Sequence, residues 1–439
     1  MSLRIHQDKI SNEDIVKINS ELRFNLSTKY ETIVRNLYAY MIDNNDIVSL
    51  PFYYALNTFS IKTRKKSEFK SNSKSFVGIL RNEQKIVVSE CISDLNKFNT
   101  SVLSLYTGFG KTIMSIKISS MIKLKTLVIV NKIILITQWR DSILKFSPDS
   151  NVKLMTDKSY EIDDDNDYDY YIINAINIVK YDIKTFQNIG LVIVDELHLI
   201  LAESLSRCLH YLSPKYLLGL SATPYRKEGL NKLIEIYFGT KPIIRTMNRE
   251  HVVYKVYTGF KPTMEKSDDG KIIWGSILKQ QADNDERNNL IVNIVRNFKD
   301  RKFLILVKRV EHGRTLLRKL QMYNEYVTSL LGNEQTFDKK ARILVGTTSK
   351  CSTGFDHSSL DSLILASDIQ DYFIQALGRV FRTKDVIPII FDIVDDNPIL
   401  MKHYKTREIV YKDCGGDVRL YKNDIKDDIV TTHKRLLLC

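Results

Sequence analysis

The chain has 439 residues, 44% of them hydrophobic and 27% charged. At roughly 150 residues per domain, two or three domains with separate cores are expected. These fractions exclude wholesale disorder, and no apolar run reaches the roughly 18 residues of a membrane span. Lys plus Arg is 65 against 52 Asp plus Glu, a net charge of +13, which favours a polyanionic partner, nucleic acid before a membrane surface. The early polar residues Arg4, His6, Gln7 and Asp8 do not suit a signal peptide, so an intracellular, cytoplasmic and non-secreted protein is expected. The five cysteines are scattered, with no C-x-x-C pair, which argues against a zinc or iron–sulfur site and for a reducing compartment.

In chain order, residues 12–45 carry helix-like apolar spacing at Ile15, Ile18 and Leu22, then at Ile33, Leu37 and Met41. A strand follows from Ile47 and stops at Pro51, leading into an aromatic-rich turn. The basic, Ser-rich stretch 62–74 reads as a linker or mobile loop with some capacity for DNA-backbone contact. From about residue 76 the pattern is strand, loop, helix. Its short runs are apolar throughout, starting at Ser101, Thr126, Tyr170, Leu191 and Tyr216. A second series starts at Val252, Phe303, Ile343, Ser362 and Pro388. Runs without alternation suit strands buried on both faces of a parallel sheet. The predicted fold is α/β, with two tandem parallel-sheet domains. The domains are an accessory segment with linker at 1–75, sheet domains at 76–245 and 246–400, and an extension at 401–439.

Thr107-Gly108-Phe109-Gly110-Lys111-Thr112 lies between an apolar strand and a helix. Glycines there let successive N–H groups face a phosphate at the positive helix end. Lys111 would reach the β- and γ-phosphates and the Thr112 hydroxyl would bind Mg²⁺. Ser104 stands where the general phosphate-loop pattern has its first glycine. Downstream, Asp195 and Glu196 end the buried run Leu191-Val-Ile-Val. Asp195 is placed to hold Mg²⁺, and Glu196 to orient and deprotonate an attacking water. Together these motifs predict a nucleoside triphosphatase using ATP and Mg²⁺.

Asp195-Glu-Leu-His198 resembles the DExH box of superfamily 2 helicases, whose other motifs follow in order. The resemblance covers roughly residues 78–395 and implies RecA-like domains. It places Arg81, Gln84, Gly354 and Asp356 with Thr107–Thr112 at the nucleotide. It places Asn131, Lys132, Gln138, Asn174, Lys308, Arg309 and Thr347 on the nucleic acid. Ser221 and Thr223 would couple the two sites to His198. Gln375-Ala-Leu-Gly-Arg379-Val-Phe-Arg382 resembles motif VI. Helical spacing puts Gln375, Arg379 and Arg382 on one face, and the two arginines would stabilise charge on the γ-phosphate in the transition state. The Gln138-Trp139 pair, Ser221-Ala-Thr-Pro-Tyr-Arg and Asp283-Asn-Asp-Glu-Arg-Asn-Asn-Leu-Ile resemble the DNA-directed branch, which includes phage UvsW-like and poxvirus transcript-release DNA helicases. That likeness implies a monomeric, ATP-dependent helicase or translocase remodelling forks, displacement loops and Holliday junctions in replication, recombination or repair. A transcript-release translocase, an RNA helicase and an ATP-switched nucleic-acid clamp are the competing expectations. Trp274, after Asp269-Gly270, is a candidate strand-separating wedge, with core packing as its plainer role.

Overall fold

The computed structural model describes residues 1–26, 35–43, 45–156, 168–200, 207–221, 231–239, 241–351, 357, 359–370, 373–382 and 386–422. The amino-terminal segment folds as a small module. Strand β1 (Ser2–His6) leads to a helix, Asn12–Glu21, whose first turn is capped by the Ser11 hydroxyl accepting from the Asp14 N–H at 3.1 Å. The expected continuation of helix towards Met41 is replaced by strands β2 (Arg23–Leu26), β3 (Arg35–Tyr38) and β4 (Met41–Ile42). Leu37 and Ala39 are buried while Tyr38 between them is 46% exposed. That alternation has the period of a strand, and it outweighs the i, i+4 spacing of Leu37 and Met41. Ile33 lies outside the described residues. Strand β5 (Ile47–Pro51) pairs antiparallel with β1 and β4. The expected turn after Pro51 is a helix, Phe52–Thr58.

The module shares a core with the domain that follows. Leu3, Leu50, Phe52 and Ala55 pack in one buried cluster with Leu212, Tyr237 and Phe238, and Ser2 N–H donates to the Leu212 carbonyl at 2.7 Å. The basic stretch expected as a loose linker is likewise seated on the domain. Arg64 donates to the carbonyls of Gln187 and Ser213, Asn72 is 1% exposed, and Ser71 bridges to Leu124. Carbonyl anchors more than a hundred residues away in sequence outweigh its lack of periodicity.

The first main sheet contains β6 (Thr100–Leu105), β7 (Thr126–Val130), β8 (Val152–Met155), β9 (Tyr170–Asn174), β10 (Leu191–Val194), β11 (Tyr216–Ser221) and β12 (Ile243–Arg245). All pairs are parallel, in the order β12-β6-β11-β10-β7-β9-β8. Helices Asn82–Phe98, Lys111–Ile122 and Ile133–Phe146 pack on it. The second sheet contains β13 (His251–Tyr257), β14 (Phe303–Val307), β15 (Val327–Leu330), β16 (Ile343–Thr347), β17 (Ser362–Leu365), β18 (Ile389–Val394) and β19 (Gly416–Leu420). It too is parallel, ordered β15-β16-β14-β17-β18-β13-β19. These are two RecA-like domains behind a small antiparallel module.

The chain divides into two units, Met1–Arg245 and Thr246–Cys439. The stretch after residue 400, expected as an extension, belongs to the second sheet's layer up to Leu420. Helix Pro398–Asp413 buries Tyr404, Arg407 and Tyr411, and β19 pairs with β13. Lys266 and Ile272 form an antiparallel bridge around Gly270, at φ +77°, a left-handed turn position open to glycine. Trp274 starts the next helix and packs against the His403 ring, with centroids 5.4 Å apart. Among the described residues, no helix is long and apolar enough to cross a membrane.

Candidate nucleotide site and motor residues

The carboxyl ends of β6, β11 and β10 lie side by side in the first sheet, the position where open α/β sheets bind ligands. After β6 the chain turns through Gly108, at φ +91°, and Gly110, at φ +105°, then enters the helix at Lys111. Both angles lie in the left-handed region that side chains disfavour. A Cβ on Gly110 would run into the Gln84 amide. Phe109 is 2% exposed, and its carbonyl accepts from Gln84 Nε2 at 2.7 Å and from Arg81 at 2.5 Å. Gln84 Oε1 accepts from Arg81 N–H at 2.9 Å. Arg81 and Gln84 therefore brace the phosphate loop from outside, with both ends of the Gln84 amide engaged inside the protein. Lys111 Nζ donates to the Leu105 carbonyl at 2.9 Å, which holds the ammonium over the loop.

Asp195 extends β10 by one residue, its N–H donating to the Ile129 carbonyl at 2.9 Å. Its Oδ1 accepts from Glu196 N–H at 3.0 Å and its Oδ2 from the Trp139 indole N–H at 2.8 Å. Burial, then the neighbouring Glu196 charge, pushes the Asp195 carboxyl up to about 6, against the opposing pull of Trp139, Lys111 and the Glu196 N–H. Glu196 has φ +49°, a strained backbone for a non-glycine residue. Leu199 N–H donates to its carbonyl at 2.8 Å, which starts the helix carrying His198. Ser221, fully buried, ends β11 between the loop strand and the acidic strand. Motif spacing gives Trp139 no part in the nucleotide site, yet its indole reaches Asp195 from the helix after β7. The His198 side chain, Thr223, Gly354 and Asp356 lie outside the described residues.

All the nucleic-acid candidates but Gln138 fall at or just after strand ends. Asn131 and Lys132 follow β7, and Gln138 lies in the next helix beside Trp139. Asn174 ends β9 at 3% exposure, and its side chain accepts from Ile176 N–H at 3.2 Å. It shapes the chain there rather than offering an amide to solvent. In the second unit, Lys308 follows β14 and is exposed, Arg309 caps the next helix, and Thr347 ends β16 beside Val307. Gln375 and Arg379 are buried one turn apart in helix Phe373–Val380. Arg382 lies past that helix, so the shared helical face holds for the first two only. A buried network missed by motif reading underlies this end of the second sheet. Arg287 Nε donates to Asp395 at 2.9 Å, Gln281 donates to Asp395 at 2.7 Å, and Arg407 grips Asp392 through two 2.8 Å bonds.

The family described as "Type III restriction enzyme, res subunit" matches residues 78–226. Protein 161L of Invertebrate iridescent virus 6, named as a helicase, is 43% identical over 86% of this chain and 90% of its own length. The chain belongs to the superfamily 2 helicases. A second viral protein named as a helicase, 055L of Frog virus 3 (isolate Goorha), is 34% identical over 79% of this chain and 80% of its own. The helicase fold is seen again in S. cerevisiae Dbp5 bound to RNA and ADP BeF3, at TM-score 0.55 and 13% identity, covering 80% of this chain and 93% of that one. Membership carries ATP use and nucleic-acid binding with it.

Proposed function

We propose that this helicase couples ATP hydrolysis to movement on DNA and remodels branched duplexes, working as a monomer inside the cell. The observation that carries the hydrolytic part is the pairing, at the carboxyl end of the first sheet, of Lys111 over its glycine loop with Asp195, whose charge feels that of Lys111, and with Glu196 in a strained backbone beside it. The Thr112 hydroxyl and the Asp195 carboxylate are hard oxygen donors of the kind Mg²⁺ takes, one at the start of the helix after the loop and one at the end of β10. They would hold Mg²⁺, which neutralises phosphate charge when bound. Glu196 then orients and deprotonates the attacking water, and Gln375, Arg379 and Arg382 are assigned to charge on the γ-phosphate. The DNA assignment rests on likeness to the DNA-directed branch in Asp283-Asn-Asp-Glu-Arg-Asn-Asn-Leu-Ile and Ser221-Ala-Thr-Pro-Tyr-Arg, and is supported by the net charge of +13.

The test is steady-state ATPase with no nucleic acid, single-stranded DNA, linear duplex, a fork and matched RNA, with Glu196→Gln alongside. Strongest stimulation by the fork, lost in the variant, is expected. Stimulation by RNA alone would make it an RNA motor, and absence of turnover would make it an ATP-switched clamp.

A further inference from the structure

Where the amino-terminal module meets the first sheet, a cavity of about 490 Å³ opens. Arg4, Lys62, Arg64 and Lys184 line it with Phe186 and Tyr211, and none of its described lining residues is acidic. Arg4 comes from β1, Lys62 and Arg64 from the basic stretch, and Lys184 from the turn Ile183–Phe186, so three separate segments converge their cations on one space.

The two guanidiniums are fixed by carbonyls. Arg4 donates to His210 O at 3.3 Å; Arg64 donates to Gln187 O at 2.7 Å and Ser213 O at 3.3 Å, and lies 4.0 Å from the Phe69 ring centroid. Carbonyl anchors set the orientation of a guanidinium without neutralising it, and they leave other N–H groups to donate. Burial lowers the Arg64 pKa, Glu68 opposes that, and the charge of Arg4 lowers it again. Asp43 is the acidic neighbour felt by Arg4. Like charges gathered in a partly desolvated hollow are unfavourable until an anion enters, and planar guanidiniums match phosphate oxygens.

The turn Ile183–Phe186 precedes β10 and Ser213 precedes β11, whereas the phosphate loop and Asp195 follow β6 and β10. In a parallel sheet these are opposite ends, so the cavity is separate from the nucleotide site.

We propose that this cavity binds phosphate, and that its occupant is the backbone of a nucleic-acid strand held at the end of the first sheet remote from ATP. This rests on the nucleic-acid motor reading above. The experiment uses the full chain and the double variant Lys62→Gln/Lys184→Gln, since both lysines are exposed. Binding of a labelled fork is measured across a salt series, with ATPase in the absence of nucleic acid as the control. Each lost phosphate contact should lower the slope of log K against log salt by about 0.9, so a fall of about two is expected with the basal ATPase unchanged. A parallel arm measures Tm against inorganic phosphate. A Tm rise lost in the variant, with an unchanged fork slope, would give the cavity to free phosphate and overturn the strand as its occupant. Unchanged slope and unchanged Tm response, with wild type still binding the fork, would overturn the site altogether. If wild type bound no DNA or RNA, the motor reading would fail and the strand proposal with it.

Discussion

The indole N–H of Trp139 donates to Asp195 Oδ2 at 2.8 Å, tying the helix after β7 to the acidic end of β10. A hydrogen bond to a charged group is worth about 1.5–3 kcal/mol, and this one opposes the burial that pushes the Asp195 carboxyl up. Trp139→Phe keeps most of the packing volume and removes the donor. The expected result is a fall in kcat of roughly 10- to 100-fold with an unchanged circular dichroism spectrum. Wild-type turnover would show the bond to be incidental.

Glu196→Gln keeps the shape of the side chain but removes its basicity. General-base loss costs about 10²- to 10⁴-fold in turnover, so ATPase should fall by that range while ATP affinity stays within a few fold. Equilibrium binding of a fluorescent ATP analogue beside kcat separates the two.

Gly110→Ala meets two obstacles, a φ of +105° and a new Cβ against the Gln84 amide. The loop would have to open away from its braces at the Phe109 carbonyl. Nucleotide binding should weaken by about tenfold or more, since a left-handed residue costs roughly 1–2 kcal/mol without glycine. Titration calorimetry with ATP checks it, and full affinity would show that the loop rearranges freely.

Two buried histidines set an acid limit on stability. Burial holds His210 and His312 down at about 3 from their usual 6.5. Both are neutral in the fold, so below pH 6.5 the unfolded chain takes up protons that the fold refuses. Stability should fall as pH drops from 6.5 towards 3, by up to about 1.4 kcal/mol per pH unit for each histidine. Urea midpoints at pH 7 and 5 test this. His312→Gln should show a smaller drop between them than wild type.

Arg407→Met would leave Asp392, at 0% exposure, without its main counter-charge. Breaking a buried pair costs about 3–5 kcal/mol, whereas replacing both partners is far milder. The urea midpoint should drop sharply in the single variant. Arg407→Met/Asp392→Leu should recover part of it, since Asp368, the second carboxylate bonded to Arg407, keeps His403 as a partner.

The inner strands were legible because runs such as Leu191–Val194 and Phe303–Val307 are apolar at every position. The edge strands were not. Val327-Thr-Ser-Leu and Gly416-Asp-Val-Arg-Leu are polar where they meet solvent and carry no apolar run to mark them. The phosphate loop and the acidic strand end were legible from glycines and carboxylates at short spacing. Trp139 was invisible as a site residue because its partner lies 56 positions away. Arg64 was misread for the same reason, its anchors lying 123 and 149 positions downstream. Local pattern reports local structure, and contacts that close across such spans become visible only when the sheet is assembled.

Strand β12, the last of the first unit, lies directly beside β6. Arg245 ends it, gripped through two 2.8 Å bonds to Glu90 and accepting from Tyr106 N–H at 3.3 Å, at the root of the phosphate loop. The next peptide bond begins the second unit. The covalent tether between the two units is thus anchored, through Arg245, beside the strand that leads into the Thr107–Thr112 turn.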